Sequence, residues 1–198
     1  MIRSHFPYNE PMKIQRIKTM AKALLPKPLF RMCQYWSIKD IVSIKEFMFE
    51  QNLRSTLYQK LFIIIKLYEI SFSIECPHTQ EEILSFIKAI LSISRETKGC
   101  IVKAGSYKGG STAKFSIAVR IANRRLVVFD SFEGIPEHDE QPEFIWGGNA
   151  PFPIGSWCGR MEEVRRNIRR FGKLEVCQLI KGWFEDTMPK FSEPIVAI

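Results

Sequence analysis

Two short segments hold residue types and spacings that could do chemistry. Gly105-Ser106-Tyr107-Lys108-Gly109-Gly110 lies between a short apolar run, Cys100–Ala104, and a helical segment, Ser111–Ala122. Glycines in such a bend let the backbone come close to a ligand, and the first turn of the following helix offers free N–H groups to a carboxylate or phosphate. A tight connection with no ligand is the plain alternative. The second segment is Leu126-Val127-Val128-Phe129-Asp130, apolar until its last residue. An acid at the tip of a parallel strand can accept hydrogen bonds from both hydroxyls of a ribose. It can equally cap the turn Ser131–Gly134. The two segments stand one strand–helix–strand unit apart, a spacing that points to a nucleoside-bearing cofactor.

Two other glycine motifs are excluded. A phosphate-binding P-loop needs Gly-Lys-Ser/Thr after its spacer, and here Gly110 runs directly into Ser111-Thr112. A dinucleotide fingerprint needs a glycine two positions after the first, where this chain has Tyr107. A nicotinamide-dependent oxidoreductase therefore fits the element order but not the glycine spacing.

The elements that must position these residues follow from periodicity. Residues 38–72 carry Ile41, Ile44, Phe47 and Met48 at helical spacing. Thr79 with Glu82 three residues on forms a capping-box signature, and Ile83, Leu84, Ile87, Ile90 and Leu91 then mark one apolar face. Strands are expected at Cys100–Ala104, Leu126–Asp130, Leu174–Ile180 and Pro194–Ile198, with helices at 111–122 and 161–171 between them. Strand–helix alternation predicts an α/β fold with a parallel sheet whose ligand lies at the carboxyl ends of the strands. Residues 1–75 read as a basic, mainly helical extension, with one short helix at Lys13–Leu25, and residues 76–198 as the α/β domain.

Composition narrows the function class. The chain has 198 residues and a net charge of +8. Residues 1–45 hold nine basic and two acidic side chains, so nearly all of the excess sits there. Without a nucleic-acid motif or an aromatic-interleaved basic stripe, this reads as a solvated face and not as a nucleic-acid partner. The five cysteines are widely spaced and include no C-x-x-C pair, which points to reduced thiols and a cytoplasmic protein. The most apolar window, Leu57–Ile74, is interrupted by Lys60, Lys66 and Glu69 and falls short of the roughly 20 apolar residues of a membrane span. The loop Glu133–Gly159 is too long for a passive connection, which predicts a lid or an acceptor-binding role. It contains His138, Asp139, Trp146 and Trp157. His138 is the one weak candidate for a catalytic base or metal ligand, against the simpler reading of a solvated loop histidine. His5 and His78 are assigned no role, and Arg165, Arg166, Arg169 and Arg170 read as a solvent face at helical spacing.

Three motifs in order carry a family resemblance. Gly105–Lys114, Val128-Phe129-Asp130-Ser131-Phe132-Glu133-Gly134-Ile135-Pro136, and Lys181-Gly182-Trp183-Phe184-Glu185-Asp186-Thr187-Met188-Pro189 resemble the signatures of the macrocin O-methyltransferase (TylF/MycF/NovP-like) family. The resemblance implies a Rossmann-like class I methyltransferase with strand order 3-2-1-4 in the portion present. It places S-adenosylmethionine over the bend, with Lys103, Gly105, Ser106, Tyr107, Gly109, Ser111 and Thr112 around it. Asp130 and Ser131 would meet the ribose, and Gly182, Trp183 and Phe184 the adenine side. The implied reaction is methyl transfer to a hydroxyl of a sugar or natural-product-like small molecule, in many members with a divalent metal such as Mg2+.

Two departures accompany the resemblance. The family's Asp-x-Asp metal ligands are expected just after Ile198, so no metal site is expected within this chain. The chain alone is therefore expected to be inactive or weakly active. Its fourth strand would be an open edge, which favours self-association into a homo-oligomer. Secondly, Lys103 stands where the family has a glutamate that holds the cofactor's amino group. That lysine would repel the amino group unless it points away or pairs with Asp130 or Glu133. A non-catalytic Rossmann-like scaffold is the alternative that these departures favour.

Overall fold

The computed structural model describes residues 38–137 and 153–197. The expected helix at Lys13–Leu25 and the loop residues His138, Asp139 and Trp146 lie outside them.

The helical spacing over 38–72 resolves into two helices, α1, Ile38–Phe49, and α2, Leu57–Ser73. The break is built by side chains. Thr56 Oγ1 accepts from Gln59 N at 3.2 Å and Gln59 Oε1 accepts from Thr56 N at 2.9 Å, a capping box that starts α2 afresh. Lys60, buried, donates its ammonium to the carbonyls of Met48 and Glu50. A cation thus satisfies the carbonyl end of α1, where the helix dipole favours it. Helix α3, Gln80–Ser92, begins as expected, with Thr79 Oγ1 accepting from Glu82 N at 3.2 Å and Glu82 Oε2 from Thr79 N at 2.9 Å.

The strands are β1, Cys100–Ala104, β2, Leu126–Asp130, β3, Cys177–Lys181, and β4, Ile195–Ala197. They form one parallel sheet in the order β3-β2-β1-β4. Parallel neighbours need crossovers. Helix α4, Gly110–Ile121, joins β1 to β2, and α5, Met161–Phe171, leads toward β3. The short helix α6, Phe184–Thr187, stands between β3 and β4. The third strand starts three residues later than its apolar pattern suggests, because Leu174–Val176 coil into a 3-10 turn.

Alternation sorts the sheet's side chains onto two faces. Ile101, Leu126 and Val128 pack with buried residues of α2, α3, α4 and α5, and Phe47 of α1 joins the same core. The helices of residues 38–73 therefore share a core with the sheet. On the opposite face Cys100, Val102, Val127 and Phe129 meet Ile180, Met188 and Phe191. Among the described residues no helix is long and apolar enough to cross a membrane.

Arg124 fixes the approach to β1. Its guanidinium donates to the carbonyls of Gly99 at 3.0 Å, Ser94 at 2.6 Å and Thr97 at 2.8 Å. The rigid fork ties together three carbonyls of the connection between α3 and β1. Arg124→Ala is expected to lower stability by about 2 kcal/mol, since several charge-assisted bonds are lost at a partly solvated site. Urea unfolding followed by circular dichroism measures it, and Arg124→Lys should recover only part of the loss.

Candidate cofactor-binding site

Parallel order puts the carboxyl ends of β1 and β2 side by side, with Ala104 opposite Phe129. After β1 the chain turns through Gly105 at φ +79° and Gly109 at φ +84°. Gly105 N donates to Phe129 O at 2.8 Å, which anchors the bend on the neighbouring strand. A Cβ at Gly105 would meet no heavy atom within 4 Å, so this glycine faces open space. The other two glycines serve packing instead. A Cβ at Gly109 would press on Val164 of α5, and one at Gly110 would sit 3.1 Å from Cys76 Cβ.

Asp130 joins the bend to the loop beyond β2. One carboxylate oxygen accepts from Ser106 N, and the other accepts from Phe132 N at 2.7 Å. Gly182 N donates to the carbonyl of the same residue at 3.0 Å. Tyr107 at φ 50° and Phe132 at φ 59° hold left-handed backbone that L-residues rarely adopt. Strain of this kind persists only where surrounding bonds determine it, and Asp130 supplies two of them. Ser106 Oγ lies 3.2 Å from Thr112 Oγ1 in the buried root of the bend, and Asn167 Nδ2 of α5 donates to Lys108 O at 2.8 Å.

These elements border a cleft of about 440 Å³, within the range of small-molecule sites. Lys103, Gly105, Ser106, Tyr107, Ser111, Asp130, Ser131, Trp183 and Phe184 line it. Its mouth is framed by Trp157, whose ring meets Tyr107 edge-on at 5.3 Å between centroids. The two ends of the long loop are tied together below, with Ile135 N donating to Ser156 O at 2.9 Å and Gly155 N to Ile135 O at 2.8 Å.

Lys103 pairs with neither of the acids weighed for it. Its ammonium donates to Gly105 O, while Glu133 pairs with Lys181 at 3.1 Å and Asp130 is occupied by backbone. Burial pulls the Lys103 ammonium down to about 8, against a smaller upward pull from Cys76 and Asp130. The folded pKa lies below the ordinary 10.5, so between pH 8 and 10.5 the unfolded chain holds more protons at this group. Stability must then rise with pH across that window and be insensitive to this group below it. The urea midpoint is expected to gain more between pH 8 and pH 10 in the wild-type chain than in Lys103→Met.

A family model for macrocin-O-methyltransferase (TylF) matches residues 80–198. The chain belongs to the macrocin-O-methyltransferase (TylF) family. It is 31% identical over 103 residues to the 8-demethyl-8-(2,3-dimethoxy-alpha-L-rhamnosyl)-tetracenomycin-C 4'-O-methyltransferase of Streptomyces olivaceus, covering 46% of this chain and 37% of that protein. It is 30% identical over 105 residues to the demethyldecarbamoylnovobiocin O-methyltransferase of Streptomyces niveus, covering 49% of this chain and 39% of that protein. These matches span well under half the length of the curated relatives. In fold it is similar to the O-methyltransferase NovP, with a TM-score of 0.53 at 19% identity over 68% of this chain and 69% of that one.

Among the residues that the TylF motifs single out, Gly109, Thr112 and Gly182 do not line the cleft. Gly109 packs on Val164 and Thr112 on Ser106, and Gly182 carries the backbone bond to Asp130. The structure adds a wall that the motifs do not include, Glu75-Cys76-Pro77-His78, just before the start of the TylF match. His78, assigned no role from sequence, is half-buried there. Burial lowers its pKa first, and the charge of Lys103 second. The signal that could have exposed this wall is Gly110, which leaves room for Cys76 and the carbonyl of Glu75. Lys108 pairs with Glu75 of this wall at 2.7 Å. The arginines 165, 166, 169 and 170 are exposed, as their spacing predicts.

Proposed function

We propose that the cleft binds S-adenosylmethionine and that the chain serves methyl transfer to a hydroxyl of a sugar or natural-product-like small molecule. The observation that carries this reading is the shared carboxylate of Asp130, which makes the glycine bend and the second strand tip a single wall. Two tests of fit support it. Gly105 leaves open space where any other residue would project, and a carboxylate that accepts one backbone N–H at each oxygen keeps further lone pairs for two ribose hydroxyls. Trp183 and Phe184 supply an apolar surface for a flat base.

The cofactor supplies an electrophilic methyl group on a sulfonium. The chain's part is positioning: Asp130 and Ser106 orient the nucleoside, and Tyr107 and Trp157 narrow the mouth through which an acceptor oxygen must come in line. For Mg2+, the second group that the resemblance implies, no three His, Cys, Asp or Glu side chains come together among the described residues.

Lys103 favours one second reading, a Rossmann-like scaffold that takes no cofactor, because it places positive charge in the cleft. Calorimetric titration with S-adenosylmethionine separates the two. Saturable one-site binding supports the methyltransferase reading, and no binding supports the scaffold.

A further inference from the structure

The cleft has two charge poles. Asp130 stands at the tip of β2, already bridging Ser106 N and Phe132 N. Lys103 stands near the tip of the adjacent strand β1, and its ammonium reaches only the carbonyl of Gly105. Among the described residues Lys103 forms no ion pair, since the nearby acids are engaged elsewhere: Glu75 with Lys108, Glu82 with the N-cap of α3, and Glu133 with Lys181. An ammonium in a partly desolvated cleft without a counter-ion is unfavourable, and a ligand carboxylate would remove that penalty with a charge-assisted hydrogen bond. An ammonium on the ligand would instead meet a like charge.

A nucleoside with its ribose on Asp130 directs whatever its sugar carries across the open face of Gly105, toward Lys103 and His78. We propose that Lys103 is a specificity-determining residue of this cleft, receiving the carboxylate of the cofactor's amino-acid tail while the amino group turns away. The inference rests on the reading that the cleft takes S-adenosylmethionine. Gly110 and Ser111, which open α4 along the same wall, add a helix N-terminus of the matching sign.

A linked effect follows. Cys76, His78 and Asp130 are the titratable groups facing Lys103. Burial holds its ammonium at about 8 before a ligand arrives, and a bound carboxylate raises it. Binding above pH 8 therefore takes up protons, which calorimetry in buffers of different ionisation enthalpy detects.

The test uses three thioethers that lack the sulfonium charge: S-adenosylhomocysteine, its analogue without the carboxylate, and its analogue without the amino group. Each is titrated into the wild-type chain and into Lys103→Met. In the wild-type chain, loss of the carboxylate is expected to weaken binding about ten-fold or more, and loss of the amino group to leave it unchanged or tighter. In Lys103→Met, the carboxylate should matter by no more than about three-fold, and proton uptake at pH 8.5 should vanish. If S-adenosylhomocysteine binds but the wild-type chain is indifferent to the carboxylate and sensitive to the amino group, this inference falls while the cofactor reading stands. If none of the thioethers nor S-adenosylmethionine binds, the cofactor reading falls and takes the inference with it.

Discussion

Asp130→Ala is expected to weaken S-adenosylmethionine binding by about a hundred-fold, the loss of two charge-assisted hydrogen bonds to a ribose. The same change should lower stability by about 2 kcal/mol, because it leaves two backbone N–H groups without their acceptor in a buried setting. Ser106 and Phe132, which donate them, are each only 4% exposed. Ser106 precedes the strained Tyr107 and Phe132 is itself strained, so the wall should loosen as well. Asp130→Asn separates the two roles. It keeps one carbonyl acceptor of similar shape and should retain more stability than affinity. Calorimetry and thermal melting on the same samples measure both, and wild-type affinity in Asp130→Asn would reduce Asp130 to the turn cap that its sequence position also allows.

Gly159→Ala is expected to have the largest effect on the fold of the site. A Cβ there would run into the carbonyl carbon and oxygen of Tyr107 and lie 2.9 Å from Lys108 N. All three atoms are backbone, so no rotamer change relieves the overlap. Either the returning end of the long loop or the glycine bend must move, at a cost of about 3 kcal/mol or more. Because the displaced backbone is that of Tyr107, ligand binding should be lost even in the fraction that folds. Gly155→Ala is the control. A Cβ there meets nothing within 4 Å, and the cost is only that of alanine at φ +74°, about 1 kcal/mol. Equal melting temperatures for the two variants would contradict the close approach of residue 159 to the bend.

Local signals made much of the fold legible in the sequence. Thr79 with Glu82 and the apolar run ending in Asp130 each depend on neighbours within a few residues, and each element starts or stops where they indicate. The strand order came from the motif resemblance. What was not legible depends on contacts between distant residues. The split between α1 and α2 is sealed by Lys60 reaching back to the carbonyls of Met48 and Glu50, which periodicity does not encode. The cleft shows the same limit. The bend and Asp130 were visible as types at the right spacing, whereas the wall at 75–78 is seen only when Gly110 packs against it. Likewise the family resemblance flags Lys103 as a charge of the wrong sign, but its partner, the carbonyl two residues on, follows from the bend's geometry.

The central claim is that the glycine bend and Asp130 hold one adenosyl ligand between them. A crystal structure of the chain grown with S-adenosylhomocysteine tests it most directly. The account predicts the ribose hydroxyls on the Asp130 carboxylate and the thioether chain lying over Gly105. Density for the ligand anywhere other than this cleft would contradict it, as would an empty cleft at saturating ligand.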